Sequence, residues 1–223
     1  MKSKPVSMSL LELDDLLDDE SFWRKKELFQ CLTSVQASSG PAQKTALRAG
    51  IALLYAHWEG WVKATGRSYL KFVNAQYLPL SALAAPLVGA GLKTRLAEID
   101  QANKAAVHAQ FAEYLQSEEF RSHQEIDLEL IRSDSNLSAE LFEDILTRIG
   151  VEKDWYELRF TLIEKLRRAR NKVAHGDYSP INQDTYSQLH ENILEVCTRF
   201  DTDVRKLARE SGYLSKSNGW SAS

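Results

Sequence analysis

The feature that most restricts this chain is a stripe of residues in its first third: Leu47, Ile51, Leu54, Trp58, Trp61, Thr65, Tyr69 and Phe72. Every step is three or four residues, the repeat of one face of an α-helix. The spacing predicts a single long helix over about 43–75, opened by the break Ser38-Ser39-Gly40-Pro41. A stripe that long, carrying two tryptophans, has to be buried against several partners. It makes this helix the centre of the packing. The chain around it holds only 10 glycines and 5 prolines in 223 residues, so little interrupts further helices.

Other helical patterns follow from the same reasoning. Leu10, Leu13, Leu17, Phe22, Phe29 and Leu32 predict a helix over about 8–36 after a frayed start at 1–7. Residues 80–116 are alanine-rich and mostly helical, interrupted near Pro86 and Gly89-Ala90-Gly91. Residues 117–136 are polar and irregular, and read as a lid, a linker or an insertion. A helix begins near Ser138, carries Leu141, Ile145 and Leu146, and stops at Gly150. Asp154-Trp155-Tyr156-Glu157 has the form of a capping box. It predicts a helix with Leu158, Leu162, Leu166, Ala169 and Val173 on its apolar face, ending at Ala174-His175-Gly176. After Ser179-Pro180, Asn182 is placed to cap a last helix with the seam Leu189, Ile193, Val196, Phe200, Val204 and Leu207. No strand pattern competes. The expected class is all-α, an up-and-down bundle of long helices with short helical insertions, one domain over 8–210, and a disordered tail over 211–223.

Composition narrows the function. The net charge is -3, which argues against a protein that coats nucleic acid indiscriminately. The two cysteines, Cys31 and Cys197, have no CxxC spacing and read as buried thiols. No apolar run approaches the ~18 residues needed to cross a bilayer, and a cytoplasmic protein without a membrane partner is expected.

One segment concentrates chemistry. Residues 165–178 read KLRRARNKVAHGDY. Arg167, Arg168, Arg170 and Lys172 gather positive charge in a slightly acidic chain, and Tyr178, Trp155 and Tyr156 are aromatics near enough to stack bases or simply to pack. Asn171 and His175 are four apart and share a helix face. Arg170 and His175 are five apart and point about 140° from each other on an ideal helix. They converge only through the length of arginine, through fraying near Gly176, or across a dimer. RNA carries its own nucleophile, the 2′-hydroxyl. Cleaving it takes a group that moves protons near neutral pH, which histidine supplies, and a cation for the phosphate charge, which arginine supplies. Asparagine can orient the histidine or the phosphate by hydrogen bonding. The scheme needs no metal and no cofactor. A helix C-terminus also favours basic residues through its dipole alone, so the cluster has a purely structural reading as well.

The stretch from Arg170 to His175 resembles the R-x4–6-H signature of HEPN domains, with Asn171 as the polar residue after the arginine and Gly176 following. Residues 51–63, IALLYAHWEGWVK, are similar to the early helix of the MAE_28990/MAE_18760-type HEPN family, with its aromatic-Glu-Gly-aromatic core. The resemblance implies a helical bundle that dimerises and sets two Arg/His motifs in one cleft. It implies metal-independent endoribonuclease activity leaving 2′,3′-cyclic phosphate and 5′-hydroxyl ends. It also implies a toxin or anti-phage role beside an antitoxin or defence partner. Arg170, Asn171 and His175 carry over as catalytic residues, with Glu59 as the early-helix residue facing them; the basic cluster and its neighbouring aromatic add Arg167, Arg168, Lys172 and Tyr178 as expected RNA contacts. Tyr178 stands three positions after His175 rather than two, a departure from members whose tyrosine is modified by a partner enzyme. A HEPN bundle also serves as a non-catalytic RNA-binding or protein-interaction module, and the sequence leaves that alternative open. His57 is expected to face solvent, as are His108, His123 and His190.

Overall fold

A computed structural model of the chain describes residues 7–102, 104–131, 136–177 and 181–216. Among them the regular elements are helices: α1 (Leu10–Ala37), α2 (Gly40–Ala75), α3 (Ala85–Gly91), α4 (Lys93–Gln101), α5 (Ala105–Gln116), α6 (Ala139–Ile149), α7 (Asp154–Glu157), α8 (Phe160–Ala174) and α9 (Gln183–Arg209), with two short 3-10 turns at Leu80–Ala82 and Leu128–Ile131. The expected all-α bundle with short insertions is what forms. The frayed start at 1–6 and the tail beyond Lys216, with Trp220, lie outside the described residues.

The spine is α2. All eight stripe residues are buried on it, Trp58 and Trp61 completely. It packs against α1, α6, α8 and α9 at once. Trp58 of α2, Tyr156 of α7 and Phe200 of α9 meet edge-on at Phe142 of α6, with ring centroids 4.7, 5.5 and 5.6 Å away. Gly50 lets α9 come close: a Cβ there would stand 2.8 Å from the Tyr186 ring.

Several boundaries follow local rules. Ser138 accepts from the Leu141 amide and Gly150 ends α6 at φ 81°, in the left-handed region glycine tolerates. Asn182 accepts from the Thr185 amide at 2.8 Å and opens α9.

Five features differ from expectation. Asp154–Glu157 is a separate single turn, because Tyr156 is drawn into the core, its hydroxyl bonded to Asp203 at 2.7 Å, and the chain restarts at Phe160. Leu158, expected on the buried face, is 81% exposed in the junction. Phe22 and Phe29 also face outward, since α1 buries the other face through Leu13, Leu17, Leu28 and Val35. The polar stretch after α5 packs down, with Ile126, Leu130 and Ile131 buried and Asn74 of α2 holding both backbone groups of Ile126 at 2.9 Å. Beyond α9 the expected loose tail is held as far as Ser215, where Ala84 N–H donates to Tyr213 and Ser215 N–H donates to Ala82, at 2.8 and 2.9 Å.

Two histidines expected at the surface are buried. The His57 ring lies 2.7 Å from Glu27 of α1 and edge-on to Trp23, and burial pushes its pKa down. His190 sits 3.2 Å from the Leu28 carbonyl. His108 is exposed, and His123 stacks half-buried on Tyr77. Cys197 is buried, while Cys31 is only partly covered.

Candidate active site

The chemistry-bearing segment is the second half of α8. Ile163, Leu166 and Ala169 bury its inner face. The helix ends in a tight left-handed cap. Gly176 takes φ 79°, its amide donates to Val173 at 3.2 Å, and the Asp177 amide donates to Lys172 at 2.9 Å. This is the paired 6→1 and 5→2 pattern of a Schellman motif, which fixes the last turn. Arg48 of α2 locks it from outside, donating to the Asp177 carbonyl at 2.6 Å and to the Val173 carbonyl at 3.3 Å. A guanidinium suits the negative end of a helix. His175, the residue between helix and glycine, is therefore exposed on a fixed backbone.

Arg170 is placed differently. Its Nη1 donates to Asn136 Oδ1 and, at 3.1 Å, to Asn171 Oδ1, while its guanidinium carbon sits 4.7 Å from the centre of the Tyr55 ring. Asn136 also donates to Asn171 at 2.9 Å, closing a triangle of three polar side chains. The Tyr55 hydroxyl donates to the Leu137 carbonyl at 3.4 Å. Burial and the neighbouring Glu59 charge push the Tyr55 pKa far up, so the ring stays a neutral platform for the cation. Glu59, one turn further along α2, reaches the cluster through Tyr55 and is paired with Lys63 at 2.5 Å. Asn171, expected to orient the histidine or the phosphate, has its side-chain oxygen turned to Arg170 instead.

The basic residues divide into two sets. Arg167 is committed to Glu164 by bonds of 3.0 and 2.8 Å, and Glu164 accepts in addition from the first amide of α6 at 3.0 Å. The Arg167 contact leads the causes that hold the Glu164 carboxyl below its ordinary range. Lys165, Arg168 and Lys172 are exposed and line a groove of about 570 Å³ between α8 and α9, with Thr161 and Thr185. On the helical net these three cations lie within about 80° of His175, whereas Arg170 lies about 140° away. Among the expected base-stacking aromatics, Tyr156 is core, Trp155 is half-buried with the Arg159 guanidinium 3.3 Å from its ring centre, and Tyr178 lies outside the described residues. No cluster of three or more His, Cys, Asp or Glu among the described residues could hold a metal ion.

Tyr55, Asn136 and Arg48 are the site residues that sequence reasoning missed. Tyr55 had a signal, since it precedes Glu59 by one turn in the stretch that carries the resemblance. Asn136 and Arg48 had none, because their roles depend on contacts 34 to 129 residues away.

A helical bundle whose penultimate long helix delivers Arg, Asn and His to a capped, surface-exposed end defines a HEPN-type domain. The chain belongs to the RiboL-PSP-HEPN family, whose family model matches residues 19–206. The match bears out the HEPN expectation and leaves the MAE_28990/MAE_18760-type branch, read from residues 51–63, without support. HEPN domains are often ribonucleases, and they commonly bind RNA and dimerise. No curated protein and no solved structure matches the chain. Among the described residues no helix is long and apolar enough to cross a membrane.

Proposed function

We propose that the chain is a metal-independent endoribonuclease acting as a homodimer, with His175 as the proton-transfer residue and Arg170, Asn171 and Glu59 completing the site. The observation that carries this reading is the exposed imidazole at a locked helix end, following the exposed Lys165, Arg168 and Lys172, which the helical repeat puts within about 80° of it. The row of cations suits an RNA backbone arriving along the groove. At its end an imidazole can take the proton of a 2′-hydroxyl as that oxygen attacks phosphorus. It can return a proton to the departing 5′-oxygen, leaving a 2′,3′-cyclic phosphate and a 5′-hydroxyl.

The placement of Arg170 favours two copies. Fraying near Gly176 is opposed by the Schellman cap, and the guanidinium is turned to Tyr55 and Asn136 rather than stretched toward His175. Convergence across a twofold axis is the route that asks for neither change. In this reading the ribonuclease is a toxin or anti-phage effector, with an antitoxin or defence protein as its counterpart.

The test is incubation of the purified chain with total RNA and with tRNA in the presence of a chelator. Cleavage is expected, with cyclic phosphate ends, and His175→Ala should lower its rate about 10²- to 10⁴-fold. Wild type and variant that are equally active, or equally inactive on varied RNAs, would refute it. The captured state of Arg170 also suits a non-catalytic RNA-binding module. Tight RNA binding without scission, lost in Arg170→Ala and kept in His175→Ala, would select that reading.

A further inference from the structure

α1 carries apolar residues on two faces. The second face, away from α2 and α9, holds Leu11, Phe22 and Phe29, exposed at 69%, 73% and 67%. Spacings of eleven and seven residues bring the three within about 20° of one another on the helix. Isolated exposed hydrophobic residues are ordinary, but two phenylalanines and a leucine in one line on one helix are not.

The charges around Phe22 say what fits there. Asp18 and Asp19 stand four and three residues before it, and Lys25 and Lys26 three and four after it. On the helical net Asp18 and Lys25 lie on one flank of Phe22, and Asp19 and Lys26 on the other, each about 40–60° off. The order is antisymmetric about Phe22. Such a face complements itself under one operation, a twofold axis that crosses two α1 helices antiparallel at Phe22. That axis sets Asp18 opposite Lys25 of the partner subunit and Asp19 opposite Lys26 of the partner subunit, four ion pairs in all. The two Phe22 rings meet, and Phe29 lies toward Leu11. A parallel pairing would set aspartate against aspartate. Within its own chain Asp18 meets Arg205 at 2.7 Å and the Lys25 ammonium stands 5.6 Å from the centre of the Trp61 ring, yet the Asp18 side chain remains 72% exposed and Lys25 is exposed as well.

We propose that the outer face of α1 is a homotypic contact, in which two chains associate antiparallel through Phe22 and Phe29 with crossed Asp18–Lys25 and Asp19–Lys26 pairs. It is independent of the nuclease reading, because it uses a different surface from the end of α8. If the motif also pairs chains, the two contacts build a larger assembly. Losing the α1 contact then leaves the dimer held by the motif, and otherwise a monomer.

The experiment measures the mass of the full chain by light scattering or sedimentation, for D18K/D19K, K25D/K26D, Phe22→Asp and wild type, with circular dichroism confirming the fold of each. Both double variants alone, and Phe22→Asp, should fall to that smaller species, half the mass of wild type where the wild-type assembly is closed. An equimolar mixture of the two double variants, one face all basic and the other all acidic, should regain it, more weakly at high salt. Wild type and Phe22→Asp of equal mass would overturn the proposal, as they would if a foreign protein or RNA covers this face. A mixture that fails to reassociate would overturn the antiparallel pairing. RNA cleavage plays no part in the readout, so an inactive protein leaves the result intact.

Discussion

Arg48 offers the sharpest test of how the candidate site is built. Its guanidinium makes one close bond, to the Asp177 carbonyl at 2.6 Å, and one longer one, to the Val173 carbonyl at 3.3 Å. A hydrogen bond from a charged donor contributes about 1.5 kcal/mol at the low end, and the contact at 3.3 Å adds little to it. The cation at the negative end of α8 adds about 0.5 kcal/mol. Because the freed carbonyls can reach water, no further desolvation penalty arises. Arg48→Ala should therefore weaken the α8 cap by about 2 kcal/mol, and Arg48→Lys, which keeps the charge and one bond, by about half that. A change of 2 kcal/mol raises a local opening equilibrium about thirtyfold. Native-state hydrogen exchange at the His175, Gly176 and Asp177 amides, all bonded within the cap, reads it directly. Exchange within twofold of wild type in Arg48→Ala would refute the view that α2 holds the end of α8, and with it the claim that His175 stands on a fixed backbone.

Further expectations follow from the packing and the charges. Phe142→Ala, at the meeting point of three aromatic rings, should cost about 3–5 kcal/mol in urea unfolding. Gly50→Ala should cost about 1–3 kcal/mol, because the added methyl meets the Tyr186 ring, and an unchanged midpoint would show that α9 can move aside. Glu164, whose pKa is held below 4.5 mainly by Arg167, contributes stability that is present above the unfolded value and lost as pH falls through the depressed one. Glu164→Gln should flatten that acid limb of the unfolding curve, and a limb of unchanged steepness would contradict the assignment. Removing Lys165, Arg168 and Lys172 together should reduce the salt dependence of single-stranded RNA binding by a slope of about 2 (~0.7 for each lost phosphate contact), measured by anisotropy titration at several ionic strengths.

What could be read in advance was whatever depends on neighbours along the chain. The stripe on α2, the stop at Gly150 and the cap at Asn182 are local, and they form as the spacing predicts. Phe22 and Phe29 mislead because a 28-residue helix with two apolar faces satisfies the same three- and four-residue steps whichever face is buried. Asp154–Glu157 misleads because a capping pattern says nothing of Tyr156, whose hydroxyl finds Asp203, 47 residues on. His57 is buried only because Glu27 and Trp23 of another helix close over it. At the candidate site, the row Arg170, Asn171 and His175 was visible, but which way Arg170 turns was decided by Tyr55 and Asn136. Tyr55 lies one turn before Glu59 in the stretch 51–63, but nothing along the chain ties it to Arg170, and Asn136 has no signal at all.

The long spine helix also separates two poles of the molecule. The cap of α8 rests on Arg48, near its start. At its other end Gln76 donates to the Met8 carbonyl at 3.0 Å, and Tyr213 packs edge-on to Phe72 with ring centres 5.7 Å apart. At 1.5 Å per residue, Phe72 lies about 36 Å along α2 from Arg48. Residue 8 and the segment after α9 thus emerge together, far from His175. Fluorophores or tethers attached at that pole, at Met8 or Ser215, would stand clear of the α8 cap.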